Sequence, residues 1–222
     1  MAVNETTDIG KVRKTLEIAF EISPENDYLT KKFWNLPVAA QLSRAEINES
    51  FTEYSEYFIS KGGILLEANN FDCVAIIVPP KFNPLELEDT EDPIFNEQFI
   101  KAGDRYKDKL GLGNTIPYYY LFMIGKNLNQ PHIKGSARAI IDYLKERADS
   151  EDAAVMLEAI NKNAKEVYAH FGFENYGEFS YGVGEVDSKG NPNTNGEGFT
   201  AAFMAYFKGG KLPLQVQEQA YV

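Results

Sequence analysis

Tyr118-Tyr-Tyr-Leu-Phe-Met-Ile-Gly-Lys126, Gln130-Pro-His-Ile-Lys-Gly-Ser-Ala137 and Asn161-Lys-Asn-Ala-Lys-Glu-Val-Tyr-Ala-His-Phe-Gly-Phe173 are the segments on which the fold turns. The first is aromatic and aliphatic without a break from Tyr118 to Ile124, as a strand covered on both faces is. The second closes on Gly135 and opens a segment in which Ala137, Ile140, Ile141, Leu144 and Ala148 share one helical stripe. Arg138, Asp142, Lys145 and Glu146 lie opposite, so this helix packs on a sheet. Ala153 to Ile160 then has the composition of another buried strand. Strand, turn, helix and strand within about forty residues form a right-handed crossover unit. The third segment is a short helix with Ala164, Tyr168 and Phe171 on one face.

Outward from this unit, the loose alternation of Leu16, Ile18, Phe20 and Ile22 predicts a first strand over Val12 to Ile22, after a frayed start. Ser23-Pro24 starts a short helix through Phe33 and Trp34. Ser43-Arg-Ala-Glu46 fits a capping box, and Ile47, Phe51, Tyr54 and Phe58 keep helical spacing until Gly62-Gly63. Gly63 to Ala68 and Phe71 to Val78 flank Asn69-Asn70 as a hairpin. After a solvated loop over Lys81 to Asp92, Asp92-Pro93 caps a helix that Gly111 ends. Phe179 to Val186 and Phe199 to Phe207 are predicted as closing strands joined by a polar loop.

The chain has 222 residues, of which 44% are hydrophobic, enough for one continuous core, and one domain over residues 1–222 is expected. A net charge of −11 argues against phosphate-backbone binding, which needs clustered Lys and Arg, so nucleic acid is not an expected partner and a cationic or neutral one is. The single cysteine, Cys73, excludes an intramolecular disulfide and a Cys metal cluster, and makes a reducing compartment the default. Residues 1–10 have neither a secretory nor a transit signature, and no apolar run approaches the roughly 20 residues that span a bilayer. A soluble cytoplasmic protein with no membrane partner is expected, with the nucleus as the second compartment, as monomer or homodimer.

The order of elements and two motifs resemble the GNAT superfamily of acetyl-CoA-dependent N-acetyltransferases. The likeness extends over nearly the whole chain and is most specific from Tyr118 to Phe173. It implies an α/β (α+β) fold: a mixed, mostly antiparallel sheet of about seven strands flanked by four to five helices. In that family a Q/R-x-x-G-x-G/A turn holds the pyrophosphate of CoA at a helix N-terminus, where unpaired amides and the positive dipole end face the anion. Gln130 and Gly135 match its ends. Ile133 replaces the middle glycine, and Pro131 has no amide hydrogen. Lys126, His132, Lys134 and Arg138 make the region basic within an acidic chain, which suits a phosphate ligand. The resemblance thus assigns Lys126, Gln130, His132, Ile133, Lys134, Gly135 and Ser136 to the cofactor, with Ile133 offering its amide.

The family pattern N-x-x-A-x-x-Φ-Y-x-x-x-G-Φ (Φ, hydrophobic) is filled at every fixed position, by Asn161, Ala164, Val167, Tyr168, Gly172 and Phe173. By the resemblance Asn161 and Ala164 lie along the pantetheine arm, and Met123, Ile124 and Gly125 line an opening between splayed strands. A phenol with a reference pKa of about 10 stays protonated at neutral pH, so Tyr168 is the candidate general acid for the departing thiolate. Glu158 is the candidate base for the attacking amine, ahead of Tyr119, Tyr181 and Glu67. His132 and His170 have no Ser or Cys partner in a recognisable elbow, so direct transfer is expected over a covalent enzyme intermediate. No metal is expected. Asn191-x-Asn193-x-Asn195-Gly196 imitates a calcium loop, but Pro192 interrupts it and Ala202 stands where a bidentate Glu is needed. The expected reaction is acetyl transfer from acetyl-CoA to a small-molecule amine or polyamine. The alternatives are a protein or peptide acceptor, or an inert acyl-CoA-binding relative.

Overall fold

The computed structural model describes residues 1–208 and 210–213. Its centre is a seven-stranded sheet in the order β1-β2-β3-β4-β5-β7-β6. The strands are β1 (Val3–Thr6), β2 (Ile64–Ala68), β3 (Cys73–Val78), β4 (Tyr118–Lys126), β5 (Ala154–Ala159), β6 (Glu174–Tyr181) and β7 (Phe199–Tyr206). Neighbours are antiparallel except β4 and β5, the parallel pair that the crossover predicts.

Alternation along the central strands divides the interior into two layers. Val74, Ile76, Val78, Tyr118 and Tyr120 face one side with Val12, Leu16, Phe51 and Phe58. Cys73, Ala75, Ile77, Tyr119 and Leu121 face the other with Ile140, Ile141 and Leu144. Each Val, Leu, Ile or Phe side chain among them contributes roughly 1.5–3 kcal/mol on burial. The first layer is covered by α1 (Ile9–Ala19) and α3 (Arg44–Ser60), with α2 (Pro24–Phe33) beside them. Further along, α4 (Pro93–Phe95) passes through a π-helical turn at Asn96–Ile100 into α5 (Lys101–Leu110). The second layer is covered by α6 (Ser136–Ser150) and α7 (Lys162–His170).

The capping signals operate as expected. Ser43 accepts from the Glu46 amide while the Glu46 carboxylate accepts from the Ser43 amide, and Asp92 accepts from the Ile94 and Phe95 amides. The start of the chain corrects the sequence reading. Residues 12–22 are not a strand: α1 begins at Ile9, with Asp8 accepting from the Lys11 amide at 3.0 Å. Val12, Thr15 and Leu16 point inward, a helical spacing, whereas Ile22 is 92% exposed. The first strand is instead Val3–Thr6, within the stretch expected to be frayed, paired through Asn4 with Glu67. Counting residues 93–110 as one, the described residues hold six helices besides a single 3₁₀ turn at Pro80–Phe82, and α1 is the one beyond the expected five. The last strands also shift, since β6 begins at Glu174 rather than Phe179.

Candidate active site

Strands β4 and β5 pair only from Tyr118–Ala154 to Tyr120–Met156. Beyond that point β5 keeps its bonds to β7 through Ala159, while β4 keeps its bonds to β3 through Lys126. The two strands therefore part. At the divergence β4 carries one extra residue, Phe122, opposite Ile76 and Ile77, a bulge that turns the strand locally. The gap leads to a cavity of about 150 Å³ bounded by Met123, Ile124, Glu158, Asn161, Ala164 and Tyr168. Six side chains named from sequence thus converge.

Helix α7 is aimed at this cavity by its ends. The Asn161 side-chain oxygen accepts from the Ala164 amide at 2.9 Å, leaving the Asn161 amide nitrogen as the group available to a ligand. At the other end the Phe173 amide donates to the Tyr168 carbonyl at 3.1 Å, and the buried Phe173 ring meets the Tyr168 ring edge-on at 5.6 Å. Tyr168 is fixed in direction by its own helix terminus. Burial, with a smaller contribution from Cys73, pushes its phenol pKa above the ordinary value, so the hydroxyl is protonated throughout the neutral range.

Glu158 lies across the cavity on β5, half-buried. Burial raises its pKa, while Lys107 and Tyr120 act in the opposite sense and Asp104 adds to the rise. Lys107 is held in turn by Asp104 at 2.6 Å and by the Leu85 carbonyl at 2.9 Å. A carboxylate so placed is a stronger base than a solvated one. The other contenders are engaged elsewhere. Tyr119 donates to Glu151, Tyr181 donates to the Ile160 carbonyl, and Glu67 accepts from Asn4 and from the Phe71 amide.

The turn before α6 supplies the second half of the site. Gly135 precedes the first helical residue with φ +86°, and a Cβ there would meet no atom within 4 Å, so the approach to the helix amides is open. Ser136 is fully buried and its hydroxyl has no partner, an unused donor in the first turn. Ile133 has no positive φ, so a β-branched residue fits, but its amide is engaged by the Gln130 carbonyl at 3.1 Å and is not offered outward as expected. Lys126 is similarly engaged: its ammonium bonds Asp72 and the carbonyls of Asn127 and Gln130, each at 3.1–3.3 Å. It shapes the loop rather than facing out from it. Gly125 packs against α1, where a Cβ would fall 2.8 Å from Leu16 Cδ2, so it adjoins the cleft without lining it. Gln130, His132 and Lys134 are exposed on the turn.

Residues 4–83 match the family model described as the YOR012W acetyltransferase domain. The uncharacterized protein YDR391C of Saccharomyces cerevisiae is 43% identical over 213 residues, covering 96% of this chain and 90% of that one. The chain belongs to this acetyltransferase-domain family. Its fold is the GNAT fold. The crystal structure of a histone acetyltransferase HPA2-related acetyltransferase from Corynebacterium glutamicum superposes with a TM-score of 0.56 at 18% identity, covering 92% of this chain and 94% of that one. Arylalkylamine N-acetyltransferase 2 of Aedes aegypti gives 0.53 at 15% identity, with 93% and 98% covered.

Within this acetyltransferase domain the sequence reading missed one wall of the cleft. Phe20, Leu29, Phe33, Tyr54, Phe99 and Phe122 line it, drawn from the residue that ends α1 and from α2, α3, the π-helical turn and β4. Their rings pack edge-on, Phe33 to Tyr54 at 6.1 Å and Tyr54 to Phe122 at 5.4 Å. Thr30 lies 3.2 Å from the Tyr54 hydroxyl and 3.3 Å from the Ser50 hydroxyl, tying α2 to α3. Asn26 also lines the cavity, and its amide nitrogen is buried without a partner.

Proposed function

We propose that the protein transfers the acetyl group of acetyl-CoA to an amine, a small molecule or polyamine rather than a protein. The observation that carries this reading is that Tyr168 and Glu158 border one cavity at the point where β4 and β5 part. When bound, acetyl-CoA supplies an acetyl group activated as a thioester. The residues present suit it: α6 presents open amides beside Gly135 and an unpartnered Ser136 hydroxyl, and the Asn161 amide nitrogen lies at the mouth of the strand gap.

Glu158 accepts the proton that the acceptor ammonium must lose before its nitrogen can attack. Tyr168 holds a proton at its hydroxyl, donates it as the C–S bond breaks and regains the second proton that the acylated nitrogen sheds, so of the two protons the ammonium loses one passes through Glu158 to solvent and one leaves with the thiol. Phe33, Tyr54 and Phe122 give the acceptor side an apolar wall, which fits an amine with a hydrocarbon body.

Calorimetric titration with acetyl-CoA, followed by turnover over an amine panel, tests the assignment. Saturable binding and acetylation of amines are expected, and no heat at millimolar ligand would overturn it. Binding with no turnover on any amine would instead mark an inert acyl-CoA-binding relative. Tyr168→Phe should lower kcat by about 10²–10³-fold with acetyl-CoA affinity nearly unchanged.

A further inference from the structure

Behind the aromatic wall lies a second, larger pocket of about 350 Å³ that the acyl-transfer chemistry does not use. Phe33, Tyr54 and Phe122 bound both spaces. The far walls of the second are the rings of Trp34 and Tyr57, with the carboxylates of Glu53, Glu88 and Asp89 around them. Aromatic faces and carboxylates in one concave space are complementary to an organic cation and to no anion. The indole is oriented for this by its Nε1–H bond to Glu53. The pocket's own chemistry already binds an ammonium: Lys61 Nζ sits 2.6 Å from Glu88 and 5.4 Å from the centre of the Tyr57 ring. Bonding to Glu88 and the proximity of Tyr57 raise the Lys61 pKa. Glu53 and Asp89 make no ion pair among the described residues, so the Asp89 carboxylate and the Glu53 oxygen not bonded to Trp34 stay available after Lys61 is counted.

We infer that this pocket binds an alkylammonium group, holding the distal ammonium of a diamine whose other nitrogen reaches the Glu158 cleft past Phe33 and Phe122. The inference rests on the amine reading above for the second nitrogen, and on the pocket alone for the first. A ligand with a neutral tail would gain nothing from Glu53 and Asp89, so the pocket discriminates diamines from monoamines of equal length.

Trp34 is the only tryptophan of the chain, so its fluorescence reports this pocket without any turnover. The protein, without acetyl-CoA, is titrated with pentane-1,5-diamine, and with pentan-1-ol as the uncharged control. A saturable change in Trp34 emission with the diamine and none with the alcohol is expected, and Glu53→Gln should weaken the diamine by about tenfold. The same substitution should raise the KM for the diamine and leave that for pentylamine unchanged. An unresponsive Trp34, or equal effects of Glu53→Gln on both amines, overturns the pocket assignment while leaving amine acetylation intact. A responsive Trp34 with no amine acetylated would leave an ammonium site and remove the acyltransfer reading instead.

Discussion

The two walls of the cleft are built in opposite ways. The wall assigned above to the donor, from β4 through α7, is a single run of chain in which caps and helix termini aim the groups: Gly135 opens α6, Asn161 caps α7, and the Phe173 amide closes it. The wall assigned to the acceptor is a mosaic of rings from the end of α1, from α2, α3, the π-helical turn and β4, held by edge-on packing and by Thr30 between α2 and α3. Local hydrogen bonds fix the first, so its geometry follows from short motifs. Tertiary packing fixes the second, so its shape depends on side chains far apart in sequence.

Glu158 stands where the walls meet, and replacing it should give the largest effect. Glu158→Gln is expected to lower kcat by roughly 10²–10³-fold and to abolish the acidic limb of the pH–rate profile. In the parent that limb should lie above the ordinary carboxylate range, because burial raises the Glu158 pKa and the base must be ionised. Stability should move the other way. A carboxyl whose folded pKa exceeds its unfolded value destabilises the fold once ionised, so the variant should gain stability at neutral pH. That gain should vanish as pH falls below about 4.3, where both states are protonated. A profile without a shifted limb would remove Glu158 as base.

The contrast between the walls also explains what the sequence disclosed. Asn161, Tyr168, Gly172 and Phe173 are legible because each performs a task within its own short helix, and the spacing records the tasks together. The crossover is legible because β4 and β5 are buried on both faces and have the apolar runs to match. Phe20, Phe33, Tyr54, Phe99 and Phe122 are not, since each sits in an ordinary apolar stripe and only the fold brings them together. Residues 12–22 mislead because Leu16, Ile18, Phe20 and Ile22 alternate by coincidence. The Asp8 cap and the Val12, Thr15, Leu16 spacing hold the true signal. Lys126 was legible as basic, yet its partner Asp72 is distant in sequence, so its inward role was hidden.

That inward role gives the next effect in size. Asp72 is 2% exposed, and Lys126→Met would leave it buried without its cation, at a cost of roughly 3 kcal/mol. Adding Asp72→Asn should recover much of the stability without restoring the loop, because the bonds from Lys126 to the Asn127 and Gln130 carbonyls stay lost. The double variant should then show an acetyl-CoA KM raised about tenfold with the acceptor KM unmoved. Phe33→Leu should give the mirror image at a similar or smaller size. It removes edge-on contacts to Tyr54 and Phe95 while keeping most of the volume, so the acceptor KM should rise several-fold and acetyl-CoA affinity stay constant. Equal effects of both changes on both substrates would mean that the walls are one unit.

The smallest and most diagnostic change is Ser136→Ala. A buried hydroxyl without a partner carries a desolvation cost, so removing it should leave thermal stability unchanged or raise it by up to about 1 kcal/mol. If that hydroxyl waits for a phosphate oxygen at the N-terminus of α6, the same substitution should weaken acetyl-CoA by about ten- to a hundredfold, the worth of one hydrogen bond to a charged group. Dephospho-CoA separates the sources, since its pyrophosphate is intact and only the 3′-phosphate is gone. A loss of equal size with both nucleotides places Ser136 on the pyrophosphate, and stability that falls with affinity unchanged would make it a structural serine. Only a serine that is costly in the free protein and useful in the complex gives opposite signs in the two measurements.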